Sequence, residues 1–361
     1  MSNELKHASV GTELTQAEFE SAGLHILDGQ AAGDMILASS ASQLRRHPYA
    51  GRNAIINGCG MISQRVADFT LVKDTYGISA DRFYGMAAGT AVSAGVFTKT
   101  AAANCGITGH AFKFAGVTIT GTGIIYFRYR MEAKDALRFK NQTASFSCKA
   151  YHDAGSAINY TIYIRKANAA DNFSAVTDIS NSGAISVASS AETILPYLAV
   201  NMGDCSNGIE LEIKAECGAV TSKNFEFTEC QFEPGSLRTN FDFRPFQQEL
   251  ALCTRYYERI QGVTGLQLAQ GLADNTGGGF FALNYAPKCM APAFGYGTAY
   301  SDWSIRYKGS GVSEVTAFST IMGIDRATLI AIATGTPLTP GEAVALRAVN
   351  GNAYLELIAE L

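Results

Sequence analysis

Charge is scarce in this chain of 361 residues: Asp, Glu, Lys and Arg together make up 17%, against a typical ~25%. The net charge is −4, so the basic stripe of a nucleic-acid-binding domain is missing and a nucleic-acid partner is excluded. No uninterrupted apolar run reaches the ~18 residues of a membrane span. The segment "TLIAIATGTPL" is short and is interrupted by Thr, Gly and Pro, and no membrane insertion is expected. The start, "MSNELKHASVGTELTQAEFE", is polar. It lacks the apolar core of a secretory signal, which predicts synthesis and folding in a cytosol. Histidines number five and are scattered, so neither a metal site nor another cofactor is expected. There is no G-x-S-x-G around a plausible nucleophile, and "GITGHAFKFAG" lacks the Lys-Ser/Thr ending of a phosphate loop. Cysteines are present, at Cys59, Cys105, Cys148, Cys205, Cys217, Cys230, Cys253 and Cys289, but none sits in a C-x-x-C pair or a zinc spacing. Buried free thiols acting as small hydrophobes are the expectation, with disulfides as the alternative.

What is present reads as β structure. Hydrophobic residues make up 47% of the chain, enough for a sizeable core. Low charge with abundant Gly, Ser, Thr and Ala points to all-β domains or to a surface partly covered by partner chains. In "IELEIKAEC", Ile209, Leu211, Ile213, Ala215 and Cys217 fall on one face and Glu210, Glu212, Lys214 and Glu216 on the other. A strict period of two predicts a strand with one face in the core and one in water. "NYTIYIRK" follows the same rule, with Tyr160, Ile162 and Ile164 opposite Thr161, Tyr163 and Arg165. "NFEFTECQF" alternates through Phe225 and Phe227, then shifts phase to Cys230 and Phe232, the mark of a β-bulge. "GIIYFRYRMEA" and "SFSCKAYHD" add further strands. The expected fold class is mainly β. Residues 1–50 form an N-terminal arm, 51–245 a jelly-roll-like antiparallel β-sandwich, 246–262 a single helix and 263–361 a C-terminal β domain. Within the arm, "TQAE" at Thr15 to Glu18 reads as a capping box for a short helix ending at Gly23, and "DMILASS" as a brief strand.

The helix rests on spacing. Phe246, Leu250, Cys253, Tyr257 and Ile260 recur at steps of four, three, four and three, a heptad-like stripe. Pro245 suits the entrance and Gly262 a left-handed end. So short a helix is marginal alone. Its stripe must be buried against its own domain or near a threefold axis between copies.

Three stretches carry a resemblance: "NAIINGCGMISQR" at 53–65, "ADRFYG" at 80–85, and "FEPGSLRTNFDFRPFQQELALCTRYYERI" at 232–260. Together they resemble a recurrent module of tailed-bacteriophage appendage proteins: tail fibres, tail spikes and head fibres. The N-terminal "LTQAEFESAGLHILDGQAAGDMILASSASQLRR" resembles the particle-attaching start of such fibres. The resemblance implies a virion adhesin, homotrimeric, docked through its arm on a tail, baseplate or capsid protein, and binding host surface polysaccharide. It supplies no catalytic residues, and no catalysis is expected. The alternatives are a capsule polysaccharide depolymerase and a capsid decoration or assembly protein without a host ligand.

For the glycan site, aromatic faces with convergent polar groups are the signal. The segment from Phe280 to Tyr307 is rich in aromatics. Trp303, the one tryptophan, with Tyr296, Tyr300, Asp302 and Arg306 makes the candidate platform; the competing reading places these aromatics in a small domain core. Glu210, Glu212 and Glu216 share one strand face, where adjacent members sit about 7 Å apart along an ideal strand, a separation that would suit an inverting glycosidase. Solubilising charge on a wet face is the simpler reading. His152 and Asp153 read as part of a turn.

Overall fold

The computed structural model describes residues 36–40, 43–46 and 51–361 apart from 66, 298, 309, 310 and 334–337, with backbone alone at 36–40, 43–46 and 328–333. The chain divides into two compact units, before and after the Arg52–Asn53 junction. In the first, β1 (Ile36–Ser40) and β2 (Gln43–Arg46) pair as an antiparallel hairpin. The capping box and the helix expected to end at Gly23 lie outside the described residues.

The second unit begins with a sandwich. Its strands are β3 (Phe69–Thr70), β4 (Gly77–Ile78), β5 (Phe83–Ala88), β6 (Ala91–Thr100), β7 (Ala111–Thr120), β8 (Ile124–Met131), β9 (Thr143–His152), β10 (Ile158–Ala169), β11 (Asn172–Asn181), β12 (Ile185–Val187), β13 (Thr193–Asn201), β14 (Ile209–Glu216) and β15 (Val220–Pro234). Among the described residues they make a seven-stranded sheet, β11-β10-β14-β8-β5-β4 with β12 also on β10, and a six-stranded sheet, β13-β9-β15-β7-β6-β3. From β7 to β10 the chain changes sheet at every step, and it does so again from β12 to β15. The resulting orders β7-β15-β9-β13 and β8-β14-β10-β11 are those of a jelly roll.

The alternation seen in the sequence fills the space between the sheets. Phe83, Phe97, Phe112, Phe114, Phe127, Phe225 and Phe227 are all buried there. Phe127 stacks on Phe83 at 4.7 Å and on Phe227 at 4.6 Å. Burying one such ring is worth about 1.5–3 kcal/mol, so the three stacked rings contribute several kcal/mol to the larger core around them. The expected bulge is present: the β15–β9 register shifts between Thr228 and Gln231, with Glu229 at φ 50°. The shift turns Cys230 and Phe232 into the core in place of their neighbours.

The distal part contains β16 (Tyr257–Gln261), β17 (Gln267–Asn275), β18 (Gly278–Asn284), β19 (Ala293–Tyr296), β20 (Trp303–Tyr307), β21 (Gly311–Met322), β22 (Arg326–Ala333), β23 (Ala343–Ala348) and β24 (Tyr354–Ile358). Six of them close into an antiparallel barrel, β17-β18-β22-β21-β20-β23, and β16-β24-β19 form a separate sheet. Closure removes sheet edges from solvent. Phe281, Trp303, Ile305, Leu346, Leu355 and Leu357 share one core across both. The segment "NAYLELIAEL" supplies β24, the central strand of the three.

The helix is shorter than the spacing predicts. It spans Phe246–Thr254, and Tyr257 and Ile260 belong to β16. Tyr256 N–H closes a turn on the Cys253 carbonyl at 2.9 Å. From Tyr257 onward the chain pairs residue by residue with Ile358 back to Tyr354. Aromatic and β-branched residues fit a pleated sheet, and this pairing overrides the helical spacing. The stripe is therefore no seam between helices. Phe246 is 49% exposed, Leu250 is half-buried, and Cys253 and Tyr257 are buried within their own chain. Gly262 caps no helix; it lies against Ala353 beside the β24 strand.

Candidate functional site

The three stretches that carry the resemblance fold onto one another. Asn57 adopts φ 61°, a left-handed conformation that Asn tolerates and Gly58 helps to turn. Its side-chain Nδ2 donates to the Ile62 and Asp81 carbonyls at 2.8 and 2.9 Å, and its Oδ1 accepts from Ile62 N–H at 2.9 Å. Its own N–H donates to Glu249 in the first turn of the helix. Glu249 also takes the Arg244 guanidinium, at 2.6 Å from Nε and 3.0 Å from Nη2. Arg244 in turn donates to the Asn53 carbonyl at 2.9 Å and to the Ile55 carbonyl. A carboxylate near a helix N-terminus is favoured by the macrodipole, and here it is nearly sealed from water.

Beside this knot lies the contact between the jelly roll and the distal sheet. Arg82, fully buried, meets Glu360 at 2.6 Å and donates to the Arg130 carbonyl at 2.5 Å. Its guanidinium stacks 3.4 Å from the Tyr256 ring centroid. Arg65 bridges Asp81 at 2.9 Å and Glu360 at 3.3 Å, and lies 3.8 Å over the Tyr257 ring. Arg255 forks onto Glu132 at 2.8 and 2.9 Å, and the Tyr256 hydroxyl donates to the same carboxylate at 3.1 Å. Burial opposes the Arg82 charge most strongly, but the Glu360 carboxylate together with Tyr129, Tyr256 and Tyr84 outweighs it and holds the guanidinium above its ordinary range. Asp81 is raised by burial more than Arg65 lowers it. Every charged group of this clamp has a partner, so it carries mechanical continuity and presents no open reaction centre.

The glycan platform expected around Trp303 comes apart. Trp303 is 0% exposed and meets Phe318 edge-on at 5.8 Å inside the distal core; barrel closure buries it, and it cannot stack on a ligand. Asp302 is buried and accepts from Asn350 Nδ2 at 2.7 Å, which fastens a loop. Arg306 is half-buried on β20. Tyr296 and Tyr300 do come together: their rings stack at 4.9 Å and their hydroxyls bond at 2.6 Å. That bond raises the Tyr296 hydroxyl. Phe294 and Phe318 back the pair, and both tyrosines are half-buried.

A second surface was missed by sequence reasoning. The outer face of the seven-stranded sheet is not a bare wet row of glutamates. Glu210 and Glu212 are 1% and 2% exposed, because arginines from neighbouring strands lie over them. Arg128 holds Glu212, Arg130 holds Glu210 at 3.0 Å, and Arg165 reaches Glu210 at 3.2 Å and Glu212 at 2.8 Å. The Tyr76 hydroxyl donates to Glu212 at 2.6 Å, and Arg128 stacks 3.7 Å from the Tyr76 ring centroid. Burial pushes Glu212 upward, yet Arg128, Tyr76 and Arg165 together hold it below the usual carboxylate range. Glu212 is therefore not poised as a general acid, which would need a raised value. The alternation of Tyr126, Arg128 and Arg130 in "IIYFRYRM" was the available signal. His152 is likewise internal, with Nε2 3.1 Å from the Val187 carbonyl oxygen. Among the described residues no cluster of His, Cys, Asp and Glu could hold a metal, and no helix is long and apolar enough to cross a membrane.

No family model matches the chain, and no curated protein matches it. Among solved structures it is similar to the C-terminal family 22 carbohydrate binding module of Clostridium thermocellum Xyn10B, at 12% identity and TM-score 0.29, over 43% of this chain and 88% of that one. It is similar to the CBM22-2 xylan-binding domain of Paenibacillus barcinonensis Xyn10C at 13% identity and TM-score 0.27, over 42% and 91%. It is also similar to TmCBM61, in complex with β-1,4-galactotriose, at 6% identity and TM-score 0.27, over 42% and 88%. Likenesses this distant carry no inference about ligand or role.

Proposed function

We propose that this chain is a structural adhesin of a virion, in the class of tail fibres, tail spikes and head fibres. Its N-terminal arm attaches to a tail, baseplate or capsid protein, and its distal domain binds host surface glycan without catalysis. One observation carries the reading. The stretches that resemble phage appendages join with Glu360 in one largely buried clamp whose charged groups are paired, from Asn57 and Glu249 through Arg82. Such a clamp transmits position between a jelly roll and a distal barrel, which is what a rigid appendage requires. Glycan contact falls to the stacked Tyr296–Tyr300 pair, aromatic faces suited to sugar C–H surfaces. Self-association as a trimer is assigned to exposed apolar residues ahead of and at the helix start, Leu237, Phe243 and Phe246, since the helix stripe is consumed inside the chain.

Labelled protein added to a panel of bacterial strains should adsorb to some of them, and periodate treatment of the cells should abolish adsorption. Tyr296→Ala/Tyr300→Ala should lose it as well. Light scattering should give three times 38.4 kDa. A monomer at micromolar concentration, or adsorption indifferent to periodate, defeats the reading. Release of reducing ends from purified capsule would replace it with a depolymerase.

A further inference from the structure

We infer that the outer face of the seven-stranded sheet is a separate saccharide-binding site, built for an extended, uncharged polysaccharide. The site is Tyr76, Tyr126, Arg128, Tyr163, Arg165 and Lys214. It lies on the jelly roll, apart from the distal tyrosines, and does not require a virion role.

Strand register assembles the surface. Lys214 on β14 stands opposite Tyr126 on β8 and Thr161 on β10. One tier on, Glu212 stands opposite Arg128 and Tyr163. Tyr126 and Tyr163 are therefore diagonal across β14, roughly 12 Å apart in ideal sheet geometry, with Lys214 and Arg128 between them. Two half-buried tyrosines at that separation, with the Arg165 guanidinium 4.7 Å over one face of the Tyr163 ring, suit a chain of sugars lying across the strands better than a single small molecule, which would need a concavity.

The polar groups are fixed in advance. Arg165 is held by Asp178 at 2.8 Å as well as by both buried glutamates, and Arg128 is held by Glu212 and Tyr76. The guanidiniums keep 15–17% of their side-chain surface in water while the glutamates beneath keep 1–3%. Hydroxyl groups of a sugar would thus meet charge-assisted partners whose rotamer entropy is already lost on folding. The pairing serves the fold as well, since Arg128, Tyr76 and Arg165 hold Glu212 below the usual carboxylate range, but buried ion pairs roughly break even against apolar packing, so folding alone does not require charge at this face.

Charge selects the ligand class. Arg128, Arg130, Arg165 and Lys214 are matched by Glu210, Glu212, Glu216 and Asp178. A neutral surface offers no long-range pull to an acidic polysaccharide or to nucleic acid. It also carries more charge at its centre than the core of a protein–protein interface tolerates.

The test is native affinity electrophoresis of the full chain in gels containing hydroxyethylcellulose, xylan, galactan, mannan or dextran, with polygalacturonate as the acidic control. Retardation by at least one uncharged polymer is expected. Tyr126→Ala/Tyr163→Ala should weaken it about tenfold, and Lys214→Ala, which removes one surface ammonium, about threefold. Unaltered far-UV circular dichroism and melting temperature establish that each variant is folded. If no uncharged polymer retards the protein, if polygalacturonate alone does, or if retardation survives the Tyr126/Tyr163 and Lys214 changes, the inference is overturned. Loss of cell adsorption in the Tyr296/Tyr300 variant bears on the adhesin reading alone, since the sheet-face site is read through Tyr126, Tyr163 and Lys214.

Discussion

Arg82 and Glu360 are separated by 278 residues in sequence and by 2.6 Å in space. One stands just before a jelly-roll strand and the other two residues past the end of the distal sheet's central strand, so this buried ion pair ties the two β bodies together. Arg82→Ala leaves the Glu360 carboxylate, 4% exposed, with only the longer contact to Arg65 at 3.3 Å. The expected cost is about 3–5 kcal/mol, read as a lower urea midpoint. Arg82→Met combined with Glu360→Leu removes both charges and should cost far less. Equal losses in the two variants would show that packing, and not the charge pair, matters here.

Asn57 separates backbone conformation from hydrogen bonding. Asn57→Gly keeps the left-handed turn but loses the side-chain bonds to Ile62 and Asp81. Asn57→Ala loses both, and should be less stable than Asn57→Gly by roughly 1–2 kcal/mol. At the next position, the methyl of Gly58→Ala would run into the Cys230 carbonyl oxygen. Thermal unfolding should rank wild type above Asn57→Gly, and Asn57→Gly above Asn57→Ala. A reversed order of the two variants contradicts the turn's role.

Stability should fall in acid. Burial alone would raise Glu132, but hydrogen bonds and charge from Arg255, with the Tyr256 hydroxyl, bring it below the ordinary 4.5. Glu212 is held below 4.5 in the same sense by Arg128, Tyr76 and Arg165 against burial. Their folded values lie below their unfolded ones, so their stabilisation is complete above 4.5 and is lost as pH falls through the folded values. Asp81, raised by burial, works in the opposite direction. Melting temperature followed from pH 7 to pH 3 should drop, and Glu132→Gln should make the drop shallower. An unchanged slope would remove Glu132 from the account.

Thiol reactivity should divide by burial. All eight cysteines are free, and six are buried. Burial pushes Cys59 and Cys289 up to about 11 and Cys217 to about 12, so thiolate is rare at neutral pH even where water reaches. With a chromogenic disulfide in native buffer, Cys217 and Cys289 should react slowly and the remainder stay silent. All eight should react at once in guanidinium. Rapid native reaction of more than two would show that the core opens.

Local patterns were legible where one face of a strand meets a core. Alternation across Ile209 to Cys217 marked β14, and the phase shift after Phe227 marked the bulge at Glu229. Spacing misled at Tyr257 and Ile260, which fit a helical stripe but pair with β24. A stripe and a strand can share the same apolar positions over so few residues, and only the partner decides. Trp303 misled for a related reason: its sequence neighbours are polar, and nothing local announces that β17 and β23 close a barrel around it. The arginines over Glu210 and Glu212 were visible as letters but not as neighbours, because cross-strand register joins residues 45 to 84 positions apart.

The residue pattern alone determined that this chain is mainly β, that its jelly roll is built from strands with one apolar face, and that a helix begins after Pro245. Those are consequences of side-chain period, which is a local property. Tertiary structure decided where the helix stops, which aromatics face water, and which charges are sealed in pairs. Those outcomes depend on burial and on distant partners, and burial is decided only when the sheets close.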